Sequence, residues 1–184
     1  RKLSNYRPIS LLCSMYKLFI KIITKRLTNK LDQYQTREQA GFRKGYSTLD
    51  HLQAINILIE KSNEYRFPLW VVFVDYEKAF DSNEIWSVLN ALSNSRVDSR
   101  YTKLIENIYN KATFQVQANN LTKPIKMKRG VRQGDALSPK LFTLALEDMF
   151  KTLDWSGKGI KIDGEYLNHL RFADDIVLFS HSAD

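Results

Sequence analysis

Three carboxylates at the ends of strongly apolar stretches are the residues of this chain best suited to chemistry. Asp75 ends the run LWVVFVD, and the adjacent pair Asp174 and Asp175 lies within RFADDIVLF. Burying one ionised carboxylate is costly, and two like charges side by side cost more. A divalent cation such as Mg²⁺ would stabilise such a cluster, because it binds a few carboxylates together with water and phosphate oxygens. Two such ions about 4 Å apart would support in-line displacement at phosphorus.

Each of these acids also has a purely structural interpretation. Paired aspartates in a turn are usually solvated turn formers, and an aspartate at a strand end is usually a cap. The choice depends on whether the fold brings Asp75 to Asp174 and Asp175, which lie far away in the sequence.

The elements around the acids predict such a meeting. Residues 69–75 are β-branched and aromatic and too few for a helix, so they predict a strand that is buried on both faces and ends at Asp75. LRFA and IVLF predict a hairpin with Asp174 and Asp175 in its turn. A strand end and a hairpin tip can lie side by side in an antiparallel sheet, which makes a carboxylate cluster plausible.

The rest of the chain predicts helices and two more hairpins. From Met15 to Leu31 apolar residues recur every three or four positions opposite a row of lysines, as in an amphipathic helix with a cationic face. Polar capping residues predict the starts of three further helices: Asp81 or Ser82, with Glu84 placed for a capping box, Asp98 or Ser99, and Ser138 with Pro139. Turn residues predict hairpins at Asn119–Asn120 and at Asp163–Gly164. The irregular alternation favours an α+β fold, with an antiparallel sheet backed by helices.

The segment RGVRQGDALSP, residues 129–139, is the second candidate functional element. Gly130 and Gly134 allow a ligand to approach the backbone, and Arg132 and Gln133 offer hydrogen-bond donors, so the loop could hold a nucleotide or a strand. Taken by itself, the segment is better explained as a flexible connection followed by an ordinary helix cap. Basic residues in and before the loop suit phosphate contacts, although a solvated hairpin edge would look the same: Lys123, Lys126, Lys128, Arg129 and Arg132.

Composition narrows the possible classes of protein. The 184 residues include 28 Lys+Arg and 20 Asp+Glu, a net charge of +8 that suits a polyanionic partner but is also common without one. The single cysteine, Cys13, excludes an internal disulfide, and with three histidines it cannot build a zinc site. No apolar run approaches the roughly 20 residues that cross a bilayer. We therefore expect an intracellular protein that does not bind membranes.

Five ordered sequence blocks resemble those of reverse transcriptases. FVDYEKAFDS (73–82), RGVRQGDALSPKLF (129–142) and FADD (172–175) resemble the palm motifs. NYRPISLL (5–12) and QAGFRKGYSTLDHL (39–52) resemble the fingers-side motifs of the non-LTR retrotransposon branch. The residues of these blocks are most similar to those of its RTE-like lineage. The blocks cover essentially the whole chain. The resemblance implies a right-hand polymerase fold, with part of the fingers in residues 1–68 and a truncated palm without a thumb in residues 69–184, hence weak processivity.

The resemblance also implies roles for single residues. Asp75 and Asp174 match the metal-binding aspartates, Asp175 is the partner of Asp174, and the carbonyl of Tyr76 is placed to complete a shell around two Mg²⁺ ions, or Mn²⁺. The residues that match nucleotide-binding positions are Arg7, Phe80, Gln133 and Gly134. Phe80 matches the steric gate that rejects a 2′-hydroxyl, although its ring could also pack in the core. The role of Arg43 in template contact stays open.

The implied activity is RNA-directed DNA synthesis. An RNA template, a DNA primer and dNTPs would be the partners, and Lys126, Lys128, Arg129 and Arg132 would contact nucleic acid. The family resemblance also implies a nuclear and cytoplasmic location, and it leaves the oligomeric state open. Two alternatives remain: a non-enzymatic nucleic-acid-binding remnant, and an RNA-dependent RNA polymerase palm, against which Phe80 argues. The departures from the family pattern, at Tyr46, Asn83 and Ala136, remove no catalytic group.

Overall fold

The computed structural model describes residues 10–117 and 120–182, which form two compact units. The first, here called the helical unit, consists of Arg1–Tyr34 and Lys78–Asp148, of which residues 10–34, 78–117 and 120–148 are described. The second, the sheet unit, consists of Gln35–Glu77 and Met149–Asp184 and is described to residue 182. In chain order the elements are α1 Ser14–Tyr34, α2 Thr48–Tyr65, β1 Trp70–Val74, α3 Ala79–Ser82, α4 Ile85–Asn94, α5 Ser99–Asn110, β2 Thr113–Phe114, β3 Ile125–Lys126, α6 Ser138–Thr152, β4 Ile160–Ile162, β5 Glu165–Leu167, β6 His169–Phe172 and β7 Asp175–Ser180.

The helical unit confirms the predicted helices and corrects some details. The helix at Met15–Leu31 is α1, but its buried row consists of Ile20, Ile23, Leu27 and Leu31, whereas Met15, Leu18, Phe19 and Ile22 are exposed. Apolar residues occupy more of the circumference of α1 than one packed row can cover. None of the helices in the described residues is long and apolar enough to cross a membrane.

The predicted helix starts meet different outcomes. Asp98 caps α5 as predicted, since its side chain accepts a hydrogen bond from the Arg100 backbone N–H, and α6 begins at Ser138. The predicted cap of α4 is wrong, because Asp81 and Ser82 belong to the separate short helix α3 and Glu84 is the N-cap residue of α4 without a side-chain cap. The first predicted hairpin exists as β2 and β3, but each strand has two residues, and Asn119 lies outside the described residues.

The sheet unit contains the predicted antiparallel sheet, in the order β1-β7-β6. One face packs on α2 and on the hairpin of β4 and β5, around the buried side chains of Leu58, Ile160, Leu170 and Phe179. The predicted burial of β1 on both faces is wrong: Trp70 is 50% exposed, Val72 53% and Phe73 73%. Within the described residues β1 lies at the edge of the sheet beside β7, so side chains of a neighbouring strand flank its faces on one side only.

The opposite side of β6 carries a cluster of aromatic and charged side chains. The ring of His169 lies 4.8 Å from that of Phe150 and 4.7 Å from that of Trp155, both edge to face. The Arg171 guanidinium lies 4.2 Å from the Phe150 ring centroid, and Arg171 is only 1% exposed. Burial, helped by the positive charge of Arg171 and opposed by Glu38, lowers the pKa of His169 to about 4. The imidazole of His169 is therefore neutral in the folded protein at neutral pH.

We expect His169 to make the stability of the chain depend on pH between about 4 and 6.5. In this range the unfolded chain binds a proton at His169 that the folded chain does not, so the free energy of unfolding rises with pH. Acidification through this range should lower the free energy of unfolding by about 3 kcal/mol. Urea unfolding at several pH values measures how steeply the free energy of unfolding rises with pH. This dependence should be weaker in His169→Phe and unchanged in His181→Gln, which alters an exposed histidine. Equal slopes in the wild type and His169→Phe would contradict this assignment.

Candidate catalytic site

The register of the sheet brings the end of β1 to the tip of the β6–β7 hairpin. At this end of the sheet the last paired residues of β1 and β7 are Val74 and Ile176. Beyond this pair, Asp75 follows Val74 and Asp175 precedes Ile176. Opposed residues of antiparallel strands have Cα atoms about 5 Å apart. Two carboxylates that are distant in sequence thus become neighbours, and Asp174 precedes Asp175 in the turn.

The turn differs by one residue from the predicted one. Phe172 pairs with Asp175, so the turn residues are Ala173 and Asp174, and Asp175 is the first residue of β7. Asp75 and Asp175 are exposed and Asp174 is half-buried, so the strand ends reach solvent and the expected cost of burying these charges is largely avoided. Tyr76, whose carbonyl is the fourth predicted ligand, is also exposed.

The donor set at this tip suits a hard cation, because it consists of carboxylate and carbonyl oxygens. In residues 10–117 and 120–182, however, no three His, Cys, Asp or Glu side chains already form a cluster that could hold a metal ion. The carboxylates are close through the strand register and the turn, and their side chains are not gathered into a finished coordination shell. The residues therefore offer the oxygen ligands that a divalent cation prefers, and the strand register brings Asp75 and Asp175 to the same end of the sheet.

A buried glutamine holds the turn from the side. Gln39 Oε1 accepts hydrogen bonds from the backbone N–H of Ala173 at 3.0 Å and of Gly41 at 2.8 Å. Its Nε2 donates to the Ala173 carbonyl at 3.2 Å. This role could not be predicted from local sequence because Gln39 and Ala173 are 134 positions apart, and Gln39 was marked only by its membership of the block QAGFR.

Arg43, the residue with an open role, makes local contacts. Its guanidinium donates to the carbonyls of Thr36 at 2.5 Å and Gln39 at 2.8 Å and lies 4.0 Å from the ring centroid of Tyr46. These contacts fix the segment that carries Gln39. They also give Tyr46, a departure from the family pattern, a defined contact.

In the helical unit, the loop 129–139 lies against the segment that carries Phe80. Val131 N–H donates to the Phe80 carbonyl at 2.8 Å, and Gly130 N–H donates to the Asn83 carbonyl at 2.7 Å. A Cβ on Gly130 would lie 2.8 Å from the Asp81 carbonyl oxygen, so the close approach requires glycine. The half-buried Phe80 ring stacks on Phe142, with the ring centroids 4.7 Å apart. The loop and the proposed gate thus form one packed group.

The predicted donor Gln133 has a partner within this group. Its Nε2 lies 3.2 Å from both carboxylate oxygens of Asp81, while Gly134 is exposed with φ +93°. Asp135, for which the sequence predicted no role, is buried and accepts hydrogen bonds from the Tyr16 hydroxyl at 2.7 Å and the Leu137 N–H at 3.0 Å. Burial, and then the hydrogen bond and charge of Asp135, raise the pKa of Tyr16. This pair ties α1 to the loop.

The basic residues predicted to contact nucleic acid differ in their exposure. Lys126, Lys128 and Arg129 are exposed, and the salt bridges of the described residues do not include them. Arg132 is half-buried, with its guanidinium 5.2 Å from the Tyr16 ring centroid. Arg7 lies outside the described residues.

Sequence comparisons show what the chain is similar to. The sequence model of the family described as "Reverse transcriptase (RNA-dependent DNA polymerase)" matches residues 1–184. The Retrovirus-related Pol polyprotein from type-1 retrotransposable element R2 of Popillia japonica is 32% identical over 178 residues, which are 95% of this chain and 25% of that protein. The RNA-directed DNA polymerase from mobile element jockey of Drosophila funebris is 27% identical over 183 residues, 97% of this chain and 19% of that protein. The chain spans about a quarter or less of the length of these relatives.

Solved structures support the fold. Apo telomerase from Candida Tropicalis matches with a TM-score of 0.62 at 15% identity, over 89% of this chain and 32% of that chain. A form of it truncated from the C-terminal domain matches with a TM-score of 0.63 at 16% identity, over 92% of this chain and 35% of that chain. These matches confirm the predicted right-hand polymerase fold with its antiparallel sheet.

Proposed function

Because the chain belongs to the reverse transcriptase family, we propose that the protein synthesises DNA on an RNA template by adding dNTPs to a DNA primer. The observation that carries this proposal is the register of β1 and β7, which brings the end of β1 at Asp75 to Asp175 and to the turn that contains Asp174. Carboxylates that lie together in this way serve phosphoryl transfer when they hold divalent cations. The remaining task of such an enzyme is alignment of primer and nucleotide.

Reverse transcriptases generally use divalent metals, and in this chain Asp75, Asp174, Asp175 and the Tyr76 carbonyl would hold two Mg²⁺ ions, or Mn²⁺. When bound, these ions supply the charge that activates the primer 3′-hydroxyl and stabilises the leaving pyrophosphate. The protein holds the carboxylates at one end of a sheet, in reach of solvent. It therefore contributes electrostatics and alignment and little acid–base chemistry.

The helical unit would supply contacts to nucleotide and nucleic acid. We assign sugar selection to Phe80 and contacts to the incoming nucleotide to Gln133, Gly134 and Arg7. Exposed Lys126, Lys128 and Arg129, with Arg132, would contact phosphates of template and primer. We further propose that residues 1–68 are part of the fingers and 69–184 are palm, and that the protein acts in the nucleus and cytoplasm.

A single-nucleotide primer-extension assay tests the proposal. The protein is given an RNA template with an annealed DNA primer, Mg²⁺ and one complementary dNTP, so that the result does not depend on processivity. Extension by one dNTP is the expected result. Binding of the duplex without extension would instead identify a non-catalytic remnant, and preferential use of the NTP would identify an RNA polymerase.

Replacing Phe80 by Val should relax discrimination against ribonucleotides. The smaller side chain leaves room for a 2′-hydroxyl, so the ratio of kcat/KM for NTP to that for dNTP should rise at least about tenfold. Steady-state single-nucleotide kinetics with both substrates measure this ratio. Phe142→Leu is the matched control, since it removes the other ring of the stack. We expect it to lower stability without changing the ratio; the same change in both variants would mean that Phe80 acts only through packing.

A further inference from the structure

The segment that precedes α2 runs beside β6 and continues the sheet on that side. Arg171 N–H donates to the Glu38 carbonyl at 2.7 Å, and Ala40 N–H donates to the Arg171 carbonyl at 2.9 Å. These two bonds form a parallel bridge between Gln39 and Arg171. The segment therefore follows β6 to the point where the hairpin turns.

At the turn, a side chain replaces the backbone as hydrogen-bond partner. The amide of Gln39 bonds both the N–H and the carbonyl of Ala173, as a neighbouring strand would do with its peptide group. Gln39 is 0% exposed, so no water competes for these bonds. Gly41 permits the close approach because a Cβ at this position would collide with the backbone of Ala173, and the Gly41 N–H also donates to Gln39 Oε1.

Ala173 requires such support because its backbone is strained. Its φ is +59°, a left-handed conformation that costs a residue with a Cβ about 1–2 kcal/mol. A turn of this kind persists when its surroundings specify it. The conformation of Ala173 sets the direction in which the chain continues into Asp174.

We propose that Gln39 is a positioning residue for the metal-binding acids: by fixing both backbone polar groups of Ala173, its amide sets the orientation of Asp174 toward Asp75. The assignment of Asp174 to the metal rests on the proposed function. The role of Gln39 in fixing the turn at Ala173 rests on its own hydrogen bonds and burial. Groups that orient metal ligands typically change metal affinity by about 10–100-fold when they are removed.

The test compares Gln39→Met with wild type in two measurements that need no polymerase activity. Met has about the same length but cannot bond Ala173. Hydrogen exchange followed by NMR should show the Ala173 amide exchanging at least about tenfold faster, and titration with Mn²⁺ followed by electron paramagnetic resonance should show affinity about 10–100-fold weaker. Thr36→Val is the matched control. Thr36 lies in the same segment as Gln39, and the substitution removes the partly buried hydrogen bond between its hydroxyl and the Arg171 guanidinium without altering a contact of the turn. It should change stability but neither readout.

Each outcome has a defined meaning. Wild-type Mn²⁺ affinity in a folded Gln39→Met protein, or equal weakening in Thr36→Val, would overturn the proposal. Should Gln39→Met fail to fold, Gln39→Asn keeps the amide but retracts it by one methylene, and it should still weaken Mn²⁺ binding at least about threefold. Absence of Mn²⁺ binding in the wild type would contradict the metal site of the proposed function instead, and the exchange rate of the Ala173 amide would then decide whether Gln39 fixes the turn.

Discussion

Replacing Asp174 by Asn should lower single-nucleotide incorporation by about 1,000-fold or more, and Asp75→Asn should do the same. Asn keeps the shape of the side chain and removes its charge, so a loss reports the electrostatic role of the carboxylate. Metal ions contribute several kcal/mol to the stabilisation of a phosphoryl-transfer transition state, and each 1.4 kcal/mol is about tenfold in rate. Single-turnover extension on an RNA template at saturating Mg²⁺ measures the change.

The matched control for these variants is Glu165→Gln. Glu165 is an exposed acid in β5 of the same sheet unit, and it is not a neighbour of Asp75 in the strand register. The variant should keep wild-type incorporation, and circular dichroism should show that all three variants are folded. Incorporation by Asp174→Asn within about tenfold of the wild type would remove Asp174 from the proposed metal site.

The strands that carry the acids were predictable because their sequence signals are local. A short β-branched run gives β1, and two apolar runs around a turn give β6 and β7. The Asp163–Gly164 turn was equally readable, since both residues take left-handed conformations between β4 and β5. Such patterns depend on neighbours in sequence, and the structure confirms them.

The burial of β1 and the position of the turn between β6 and β7 could not be predicted in the same way. A run of apolar residues is the same whether its strand is central or at an edge, and the strand order β1-β7-β6 decides this only in the folded chain. In RFADDIVLF the turn could begin at Ala173 or Asp174. The choice of Ala173 follows from its hydrogen bonds to Gln39, a residue on a distant segment.

The supporting residues of the site were missed for the same reason. Gln39 and Asp135 have no local pattern that reveals a role; each is a buried polar residue whose partner lies more than 100 positions away. The resemblance to reverse transcriptases identified the blocks that contain them but gave roles only to residues that match known functional positions. Buried polar residues inside such blocks are therefore candidates for residues that orient a site.

Replacing Gly41 by Ala should lower the free energy of unfolding by about 3 kcal/mol or more. A Cβ at this position would lie 2.2 Å from the Ala173 nitrogen and 2.8 Å from its Cα. Backbone atoms cannot move aside as a flexible side chain can, so either the segment of Gln39 or the turn at Ala173 and Asp174 must shift. We therefore expect incorporation to fall together with stability, because Asp174 follows Ala173 directly. Urea unfolding followed by circular dichroism measures the first effect.

Gly45→Ala separates collision from backbone strain. Gly45 has φ +83° and a Cβ there would meet nothing within 4 Å, so alanine should cost only the strain of a left-handed residue, about 1–2 kcal/mol. Gly41 does not have a positive φ, and its variant should nevertheless be the less stable of the two. This order follows only if the segment of Gln39 lies against the turn at the distance described. A Gly41→Ala protein as stable as Gly45→Ala would show that the segment and the turn are further apart, and the hydrogen bonds from Gln39 to Ala173 would have to be abandoned with it.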